Sequence, residues 1–399
     1  MKKLPRNWLP KTVADVCDMR NGNGFGPSDW DTTGLPIIRI QNLNGGQKFD
    51  YFSGVPDQRW IVEPGQMLFS WAGTKGVSFG PTIWRGARGV LNQHIFKVQP
   101  KPGIVSEWLY WALKHVTDRI EAQSHGFKST LVHVKKSDID RQPITVPPLS
   151  EQRRIAQILS TWDQAITTAE GKVANSRRQI KGLQRQLLMK PAMSGKWDTL
   201  PIGEIAERIQ RRANEDEELP VLMISSGTGF VRQDEKYNRF MAGKSVENYI
   251  ALDRGEFAYN KGNSKLYEFG CVFPLSVYER GLVPNVYVCF KLSPSLNAVF
   301  YEHLFRADFL HDQLGALVNT GVRNNGLLNI KPVDFLACHV PIPPLEVQNR
   351  IAEMLTTAAK WVTLQERDLE LLKVEKAALM SQLLTGKRRV KLPEAEMEA

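Results

Sequence analysis

Two long segments of the chain carry apolar residues at alternating steps of four and three. The first segment follows Pro148 and the second follows Pro344. A period of about 3.5 residues is typical of a helix that packs along a coiled-coil seam. The predicted seam residues are Ile155, Leu159, Trp162, Ile166, Val173, Ile180, Leu183 and Leu187 in the first helix, and Ile351, Leu355, Val362, Leu369, Leu372, Leu379 and Leu383 in the second.

Helix signals bound both segments. Proline cannot continue a helix backwards, and Ser150 suits the N-cap position, so the first helix is expected to start there. Glu346 is a poorer cap, which leaves the second start less defined. Gly195 and Gly386 are the predicted C-terminal stops.

Two such helices are expected to pair with each other. A helix of about 40 residues is about 60 Å long. Antiparallel pairing would put one globular domain at each end, related by a pseudo-twofold axis, and would make the pair a rigid spacer. The polar seam residues Ser176, Gln365 and Lys376 would then fix the register at some cost in stability. The alternative is that each helix packs on its own domain.

Both helices open on one repeated phrase. Residues 146–156 read VPPLSEQRRIA and residues 342–352 read IPPLEVQNRIA, at a constant offset from Pro147 to Pro343. Upstream, the hydrophobic pattern of the first half returns in the second while the polar residues differ. The matching segments are 8–10 with 197–201, 35–40 with 219–224, and 62–69 with 252–259. The chain is therefore predicted to contain two domains that share a fold and differ in what they contact.

The predicted fold class is α/β, or more loosely α+β, because short apolar strands alternate with helices in both halves. Strands are expected near residues 36–40, 67–69 and 287–292, and helices near 107–123 and 299–317. The predicted domains are 1–147 and 197–342 (globular), 148–196 and 343–390 (helical) and 391–399 (tail).

Composition narrows the partner and the compartment. The net charge of +10 favours a polyanionic partner. No apolar run of about 18 residues exists, and no apolar core follows Met1 as a signal peptide would require. The scattered cysteines, Cys17, Cys271, Cys289 and Cys338, suggest buried free thiols. The protein is expected in the cytoplasm.

A search for catalytic motifs finds none. A DNA adenine methyltransferase needs Pro-Pro followed by an aromatic residue, but both Pro-Pro pairs here are followed by leucine. Residues 243–245 read Gly-Lys-Ser, yet Asn238 stands where a P-loop needs its first glycine. The histidines lack metal-ligand spacing. No catalytic residue, metal site or bound cofactor is therefore predicted.

With its repeated phrase and two long helices, the chain resembles the DNA-specificity (S) subunits of type I restriction–modification enzymes. In that family two variable target-recognition domains alternate with two helical regions, each opening on a phrase close to Pro-Pro-Leu-x-Glu-Gln-x-x-Ile-Ala. Residues 146–156 fit this phrase closely, and residues 342–352 fit it with Val347 in place of Glu. Residues 63–76 and 126–131 resemble family segments inside a recognition domain.

The resemblance implies a non-catalytic subunit that recognises double-stranded DNA. Each domain would recognise half of a bipartite, asymmetric target, with half-site centres about 10 bp apart. Its partners would be two adenine-N6 methyltransferase subunits, which bind S-adenosylmethionine, and up to two restriction–translocase subunits, which use ATP and Mg. No membrane partner is expected.

Polar and basic loops at equivalent places in the two copies are the predicted DNA contacts, because amide and cationic side chains bind base edges and phosphates. For each residue a solvated surface loop is the alternative. The first-domain candidates are Arg39, Gln41, Asn42, Asn44, Lys75, Arg85, Arg88, Asn92, Gln93, His94, Lys128, Ser129 and Thr130. The second-domain candidates are Arg208, Arg211, Arg212, Tyr259, Asn260, Lys261, Asn263, Lys265, Arg323, Asn324 and Asn325.

Two other classes of function compete with this one. A self-sufficient DNA enzyme is disfavoured because no catalytic motif is found. A coiled-coil interaction scaffold without DNA specificity is the main alternative, and the basic charge and the duplicated polar loops argue against it.

Overall fold

The computed structural model describes residues 4–123, 131–213, 217–237, 247–318 and 328–392. The chain forms two compact units. Unit 1 contains Met1–Glu170 and Asp368–Ala399, and unit 2 contains Gly171–Arg367. The boundaries fall inside the two long helices, so each unit contains a globular region and a piece of both helices.

The first globular region is a set of short strands around one longer helix. Its elements are β1 Leu9–Thr12, α1 Val13–Val16, β2 Cys17–Asn21, β3 Leu35–Ile38, α2 Ile40–Leu43, β4 Tyr51–Phe52, β5 Ile61–Val62, β6 Met67–Ser70, β7 Ala72–Thr74, β8 Gly80–Ile83, β9 Gly89–Leu91, β10 Ile95–Pro100, α3 Ser106–Gln123, β11 Leu131–His133, α4 Lys136–Asp140 and β12 Pro143–Val146. A 3-10 turn at Pro27–Asp29 precedes β3.

The first long helix and the second globular region follow. The elements are α5 Leu149–Gln184, a π-helical turn at Arg185–Met189, α6 Lys190–Met193, β13 Thr199–Pro201, α7 Ile202–Ile205, β14 Ala206–Ile209, β15 Leu222–Ser225, β16 Gly229–Arg232, α8 Gln233–Tyr237, β17 Ile250–Asp253, β18 Phe257–Asn260, β19 Cys271–Pro274, β20 Arg280–Val283, β21 Val288–Leu292, α9 Ala298–Arg306, α10 His311–Leu317, α11 Pro332–Leu336, β22 His339–Pro341 and the second long helix α12 Leu345–Leu384.

A four-stranded antiparallel sheet organises each unit. The order is β2-β10-β6-β8 in unit 1 and β14-β21-β18-β19 in unit 2. In unit 1, α3 buries Trp108, Leu109 and Leu113 against this sheet. Gly80 in β8 makes the close approach possible, because a Cβ there would lie 2.7 Å from the Thr117 hydroxyl of α3. The mixed helix-and-strand class predicted from the sequence is confirmed.

A second sheet completes unit 1, where the order is β4-β3-β9-β5. Its β3 and β9 run parallel to each other. Unit 2 has two further antiparallel pairs in addition to its main sheet, the hairpin of β15 with β16 and the pair of β17 with β20. The remaining pairs are β1-β12 and β7-β11 in unit 1, and β13-β22 in unit 2.

The repeated phrase fastens each globular region to its long helix through one buried glutamine. Gln152, 1% exposed, accepts a hydrogen bond from the Val105 amide and donates to the carbonyls of Gly103 and Pro147. Gln348, also 1% exposed, accepts from the Asn297 amide and donates to the Pro343 carbonyl. Buried backbone groups need such partners, so the glutamine sets where the loop before α3 or α9 attaches.

The long helices pair antiparallel within each unit. In unit 1, Asp163 of α5 contacts Lys376 of α12, and Glu170 lies 3.1 Å from Lys373. In unit 2, Arg177 lies 2.6 Å from Glu366. All fifteen predicted seam residues are buried or half-buried. The prediction that the two long helices pair antiparallel with each other is confirmed.

The helix ends differ slightly from prediction. The first helix begins at Leu149, one residue before the predicted cap, because the Pro148 carbonyl already accepts from the Gln152 amide. The predicted stops hold: Gly195 and Gly386 both adopt φ of +70°, and the helices end just before them.

All four cysteines are buried free thiols. Burial raises the pKa of Cys17, Cys271 and Cys289 to about 12, so these thiols stay protonated. Among the described residues, none of the helices has the length and apolar character that crossing a membrane requires. The same residues contain no group of three His, Cys, Asp or Glu side chains placed to hold a metal ion.

Candidate nucleic-acid interface

Polar side chains collect at one edge of the main sheet in unit 1. Strand β2 ends at Asn21, β6 ends at Ser70, and β10 begins at Ile95. The antiparallel register sets Asn21 opposite Phe96 and Ser70 opposite Ile95, so the three strands reach the same edge. We call the side chains that extend this edge the first polar edge: Asn21, Asn23, Trp71, Asn92, Gln93, His94 and His133.

Trp71 stands at the centre of the first polar edge. Its ring centroid lies 5.1 Å from that of His94 and 4.8 Å from that of His133, both edge to face. Its Nε1 donates to the Asn21 Oδ1 over 3.2 Å. His133 reaches this position because β11 pairs with β7, which sets His133 opposite Ala72. One half-buried indole thereby holds an amide and two imidazoles on an otherwise exposed surface.

A glycine brings the loop after β2 against the loop before β10. A Cβ at Gly22 would lie 2.1 Å from the Leu91 carbonyl oxygen, which no side chain tolerates. The Asn23 amide donates to that carbonyl over 2.8 Å, and Asn23 bridges to Asn92. Next to them, Gln93 Nε2 lies 3.3 Å from His94 Nε2. The glycine-rich segment 21–26 therefore positions amide side chains.

Unit 2 presents a polar edge at the equivalent place. Strand β14 ends at Ile209, β18 ends at Asn260, and β21 begins at Val288. We call the side chains beyond these ends the second polar edge: Gln210, Arg212, Asn260, Lys261, Asn263, Lys265 and Asn285. Gln210, Arg212, Asn263, Lys265 and Asn285 are exposed. Asn260 is half-buried, and its Oδ1 accepts from the Gly262 amide over 3.0 Å.

Strand register matches the two edges residue by residue. Phe96 pairs with Phe69 in unit 1 as Val288 pairs with Tyr259 in unit 2. Phe69 of β6 therefore corresponds to Tyr259 of β18. Two residues further along the chain, Trp71 corresponds to Lys261. The first edge is thus made of amides, imidazoles and an indole, whereas the second carries three cations among its amides.

Two residues of the first domain that were predicted to contact DNA make contacts within the loop of residues 39–50. Asn42 is 6% exposed; its amide nitrogen donates to the carbonyls of Gly46 and Lys48, and its oxygen accepts from the Arg39 amide. Arg39 itself pairs with Asp50 and lies 4.8 Å above the Trp30 ring. The prediction for Asn42 is therefore corrected: its side chain holds the loop together. Arg39 contacts Asp50 and Trp30 instead of standing free at the surface.

In the second domain the prediction for Tyr259 is corrected, and Arg211 is found paired with carboxylates. Tyr259 is fully buried, donates its hydroxyl to the Phe269 carbonyl over 2.8 Å, and stacks on Phe335 at 4.3 Å. Burial raises its pKa, so it stays protonated. Arg211 pairs with Glu256, a carboxylate only 3% exposed, and with Asp253 at 2.6 Å. Arg211 neutralises this carboxylate, because a buried charge needs a partner.

The remaining candidates divide by location. Gln41, Asn44, Arg85 and Arg208 are exposed. Lys75 donates to the Glu121 carbonyl over 2.6 Å, and Arg88 lies 3.1 Å from Glu63. Asn92, Gln93, His94, Arg212, Asn260, Lys261, Asn263 and Lys265 belong to the polar edges. Lys128, Ser129, Thr130, Arg323, Asn324 and Asn325 lie outside the described residues.

Comparison with known proteins finds similarity to one family. The model of the type I restriction modification DNA specificity domain matches residues 5–175. The chain is 24% identical to the type I restriction enzyme MjaVIII specificity subunit of Methanocaldococcus jannaschii, over 98% of this chain and 95% of that protein. The EcoBI specificity subunit of Escherichia coli is 25% identical over 48% of this chain and 39% of its own length.

Solved structures agree on the fold. The type I restriction-modification S subunit of M. genitalium aligns with a TM-score of 0.53 at 16% identity, covering 96% of this chain and 98% of that chain. A chain from a structural study of complex assembly in the type I R-M system aligns at 0.59 and 13% identity, covering 97% and 100%. The sequence comparisons agree with the resemblance noted in the sequence: over nearly its whole length the chain is similar to the specificity subunits of type I restriction enzymes.

Proposed function

We propose that this chain is the DNA-recognition subunit of a type I restriction–modification complex and that each polar edge recognises one half of a double-stranded target. The observation that carries the proposal is the repetition of one sheet with two different polar edges. A shared scaffold with different side chains at one place is what two recognition sites for different sequences require. The family relationship supports the same function.

The chemistry of the edges suits DNA. Asn and Gln side chains pair with adenine through two hydrogen bonds, and Arg and Lys pair with guanine. The first edge offers amides at Asn21, Asn92 and Gln93, and the second offers cations at Arg212 and Lys265. Because the two sets differ, the target is expected to be bipartite and asymmetric. The recognition domains would be residues 1–147 and 197–342, with residues 148–196 and 343–390 as the helical regions and 391–399 as a tail.

The long helices would bind the partner subunits. On α12 within unit 2, Met354, Trp361 and Leu364 are 41%, 60% and 53% exposed. Exposed apolar side chains on one face of a helix favour a protein partner. We propose that two adenine methyltransferase subunits assemble on the helices and that restriction subunits join them. S-adenosylmethionine, ATP and Mg would bind to those partners, and this chain would be non-catalytic.

The scaffold role has a direct test. Replacing Trp361 and Leu364 by serine is expected to abolish co-purification with the methyltransferase subunit, while Lys360→Ser, an exposed neighbour on the same helix, should not. Co-purification that survives the double substitution would contradict the assigned surface.

The recognition role is tested by single-molecule sequencing of plasmid DNA from cells that express this chain with its methyltransferase subunit. N6-methyladenine confined to one split, asymmetric motif is the expected result. Methylation no higher than in cells with the methyltransferase alone, despite a stable complex, would contradict DNA recognition and leave an interaction scaffold.

A further inference from the structure

A small polar pocket lies on the face of the main sheet in unit 1 that also packs against the second sheet. It has a volume of about 190 Å³ and is lined by Asp18, Arg20, Gln58, Arg59, Lys97 and Gln99. Three of these residues are cations and one is an anion. The apolar cluster that contains Trp108 of α3 packs on the opposite face, because its members Met19 and Val98 alternate with the pocket residues along β2 and β10.

Two cations of the pocket face each other across the sheet. The antiparallel register sets Arg20 directly opposite Lys97. Like charges at directly opposite positions destabilise a sheet. The fold does not require cations here: in unit 2 the equivalent pair is Ile209 and Cys289, which is set opposite in the same register and buried in an apolar cluster.

Carboxylates near the pocket compensate only part of this charge. Arg59 is held by Asp57, with Nε 2.8 Å from Oδ2. The Asp18 carboxylate lies 3.9 Å from Lys101. The half-buried Lys97 ammonium donates to a neutral acceptor, the Ile61 carbonyl, over 2.7 Å. Neither Arg20 nor Lys97 has a carboxylate within ion-pair distance in the part of the chain that the structure describes.

The pocket adjoins the first polar edge. Arg20 immediately precedes Asn21 on β2, and Lys97 follows Phe96, the residue opposite Asn21. A ligand in the pocket would therefore lie next to the first edge, on the face of the sheet opposite the Asn21 side chain. Apart from the Asp18 carboxylate, the lining side chains are two guanidinium groups, an ammonium and two amides, which are donors that bind phosphate oxygens.

We propose that this pocket binds a backbone phosphate of the DNA next to the half-site that the first polar edge recognises. The inference rests on the proposed function and adds a phosphate contact that unit 2 does not reproduce at the equivalent positions. The contact would contribute affinity irrespective of sequence, because phosphates carry no base information.

The test is the salt dependence of DNA binding by the complex with the methyltransferase subunit. Arg20→Ala is expected to weaken binding of target and non-target duplexes by the same factor, roughly three- to tenfold, and to reduce the slope of log K against log salt by about 1. Lys11→Ala is the matched control, because it removes one exposed cation from β1, before β2 begins, and should change neither quantity.

The outcomes separate this inference from the proposed function. A wild-type complex without target preference would contradict the proposed function. A specific wild-type complex whose Arg20→Ala variant keeps the salt slope, or loses affinity for the target alone, would overturn the pocket as a phosphate contact. Inorganic phosphate that raises the melting temperature of the wild type but not of Arg20→Ala, with an unchanged DNA slope, would assign the pocket to free phosphate instead.

Discussion

The two units carry the same sheet and helix attachment, yet almost every polar position outside that framework differs. Gln152 and Gln348 perform the same task in both. In contrast, Trp71 corresponds to Lys261 at the polar edges. Positions that hold the backbone together are repeated in this chain, and positions free of that duty differ between the copies. A scaffold that tolerates such exchange is suited to carrying different recognition surfaces.

The departure at Val347 shows how one copy replaces a polar contact by an apolar one. In unit 1, Glu151 is 2% exposed, accepts from the Trp8 indole over 3.2 Å and pairs with Arg389. In unit 2, the equivalent Val347 packs against the apolar cluster that contains Leu355. Both solutions avoid an unpaired buried charge.

The largest expected effect comes from the shared glutamines. Gln152→Leu would leave buried backbone groups without partners, each at a cost of about 1–3 kcal/mol, so we expect a loss of about 3 kcal/mol of unfolding free energy. Gln348→Leu should have a similar effect. Gln157→Leu, on the exposed side of α5, is the control and should cost less than about 0.5 kcal/mol. Denaturant unfolding of the purified complex measures all three. If either Gln152→Leu or Gln348→Leu changed the unfolding free energy only slightly, the two glutamines would not be equivalent in attaching the globular regions.

A smaller effect is expected at the ion pair found in unit 1. Arg389→Met leaves the buried Glu151 carboxylate with the Trp8 indole alone and should cost about 2 kcal/mol, less than a fully buried pair because Arg389 is half exposed. Adding Glu151→Gln should restore most of the loss, because a neutral amide needs no counterion. Arg177→Met breaks an exposed pair in unit 2 and should cost about 0–1 kcal/mol.

Thermal unfolding of these three variants checks the prediction. An equal loss for Arg389→Met and Arg177→Met would show that burial of Glu151 is not what distinguishes the pairs.

The smallest effect is expected at Lys376. The Lys376 side chain is 12% exposed, and its ammonium contacts Asp163 and lies 4.4 Å above the Trp111 ring, whereas the equivalent seam position in α5 is Ile180. Lys376→Ile should change the unfolding free energy by no more than about 1 kcal/mol in either direction, because a buried ion pair roughly balances its desolvation cost. Lys376→Ala, which also removes packing, should destabilise more. A loss of several kcal/mol for the isoleucine variant would show that this ion pair stabilises unit 1.

Sequence periodicity predicted the framework well, because helix seams and repeats are local patterns. It identified both long helices, their stops and the duplicated domains. It missed Asn21, Trp71 and His133, since their proximity depends on pairing between strands far apart in the chain. It also predicted Tyr259, which is fully buried, as a DNA contact, and it did not foresee that Arg211 pairs with two carboxylates. Tyr259 stacks in the core on Phe335, which is distant in the chain. The partner of Arg211 is Glu256, 45 residues away, so the pairing is not visible as a local pattern.

The central claim is that each polar edge recognises one half of the target. It is tested most directly by sequencing methylated plasmid DNA from cells that carry single-edge variants. Gln93→Ala, at an exposed position of the first edge, is predicted to relax base preference in one half of the motif only. Asn263→Ala, at an exposed position of the second edge, is predicted to relax the other half only. Either variant altering both halves, or both leaving the motif unchanged while the complex stays intact, would contradict the account.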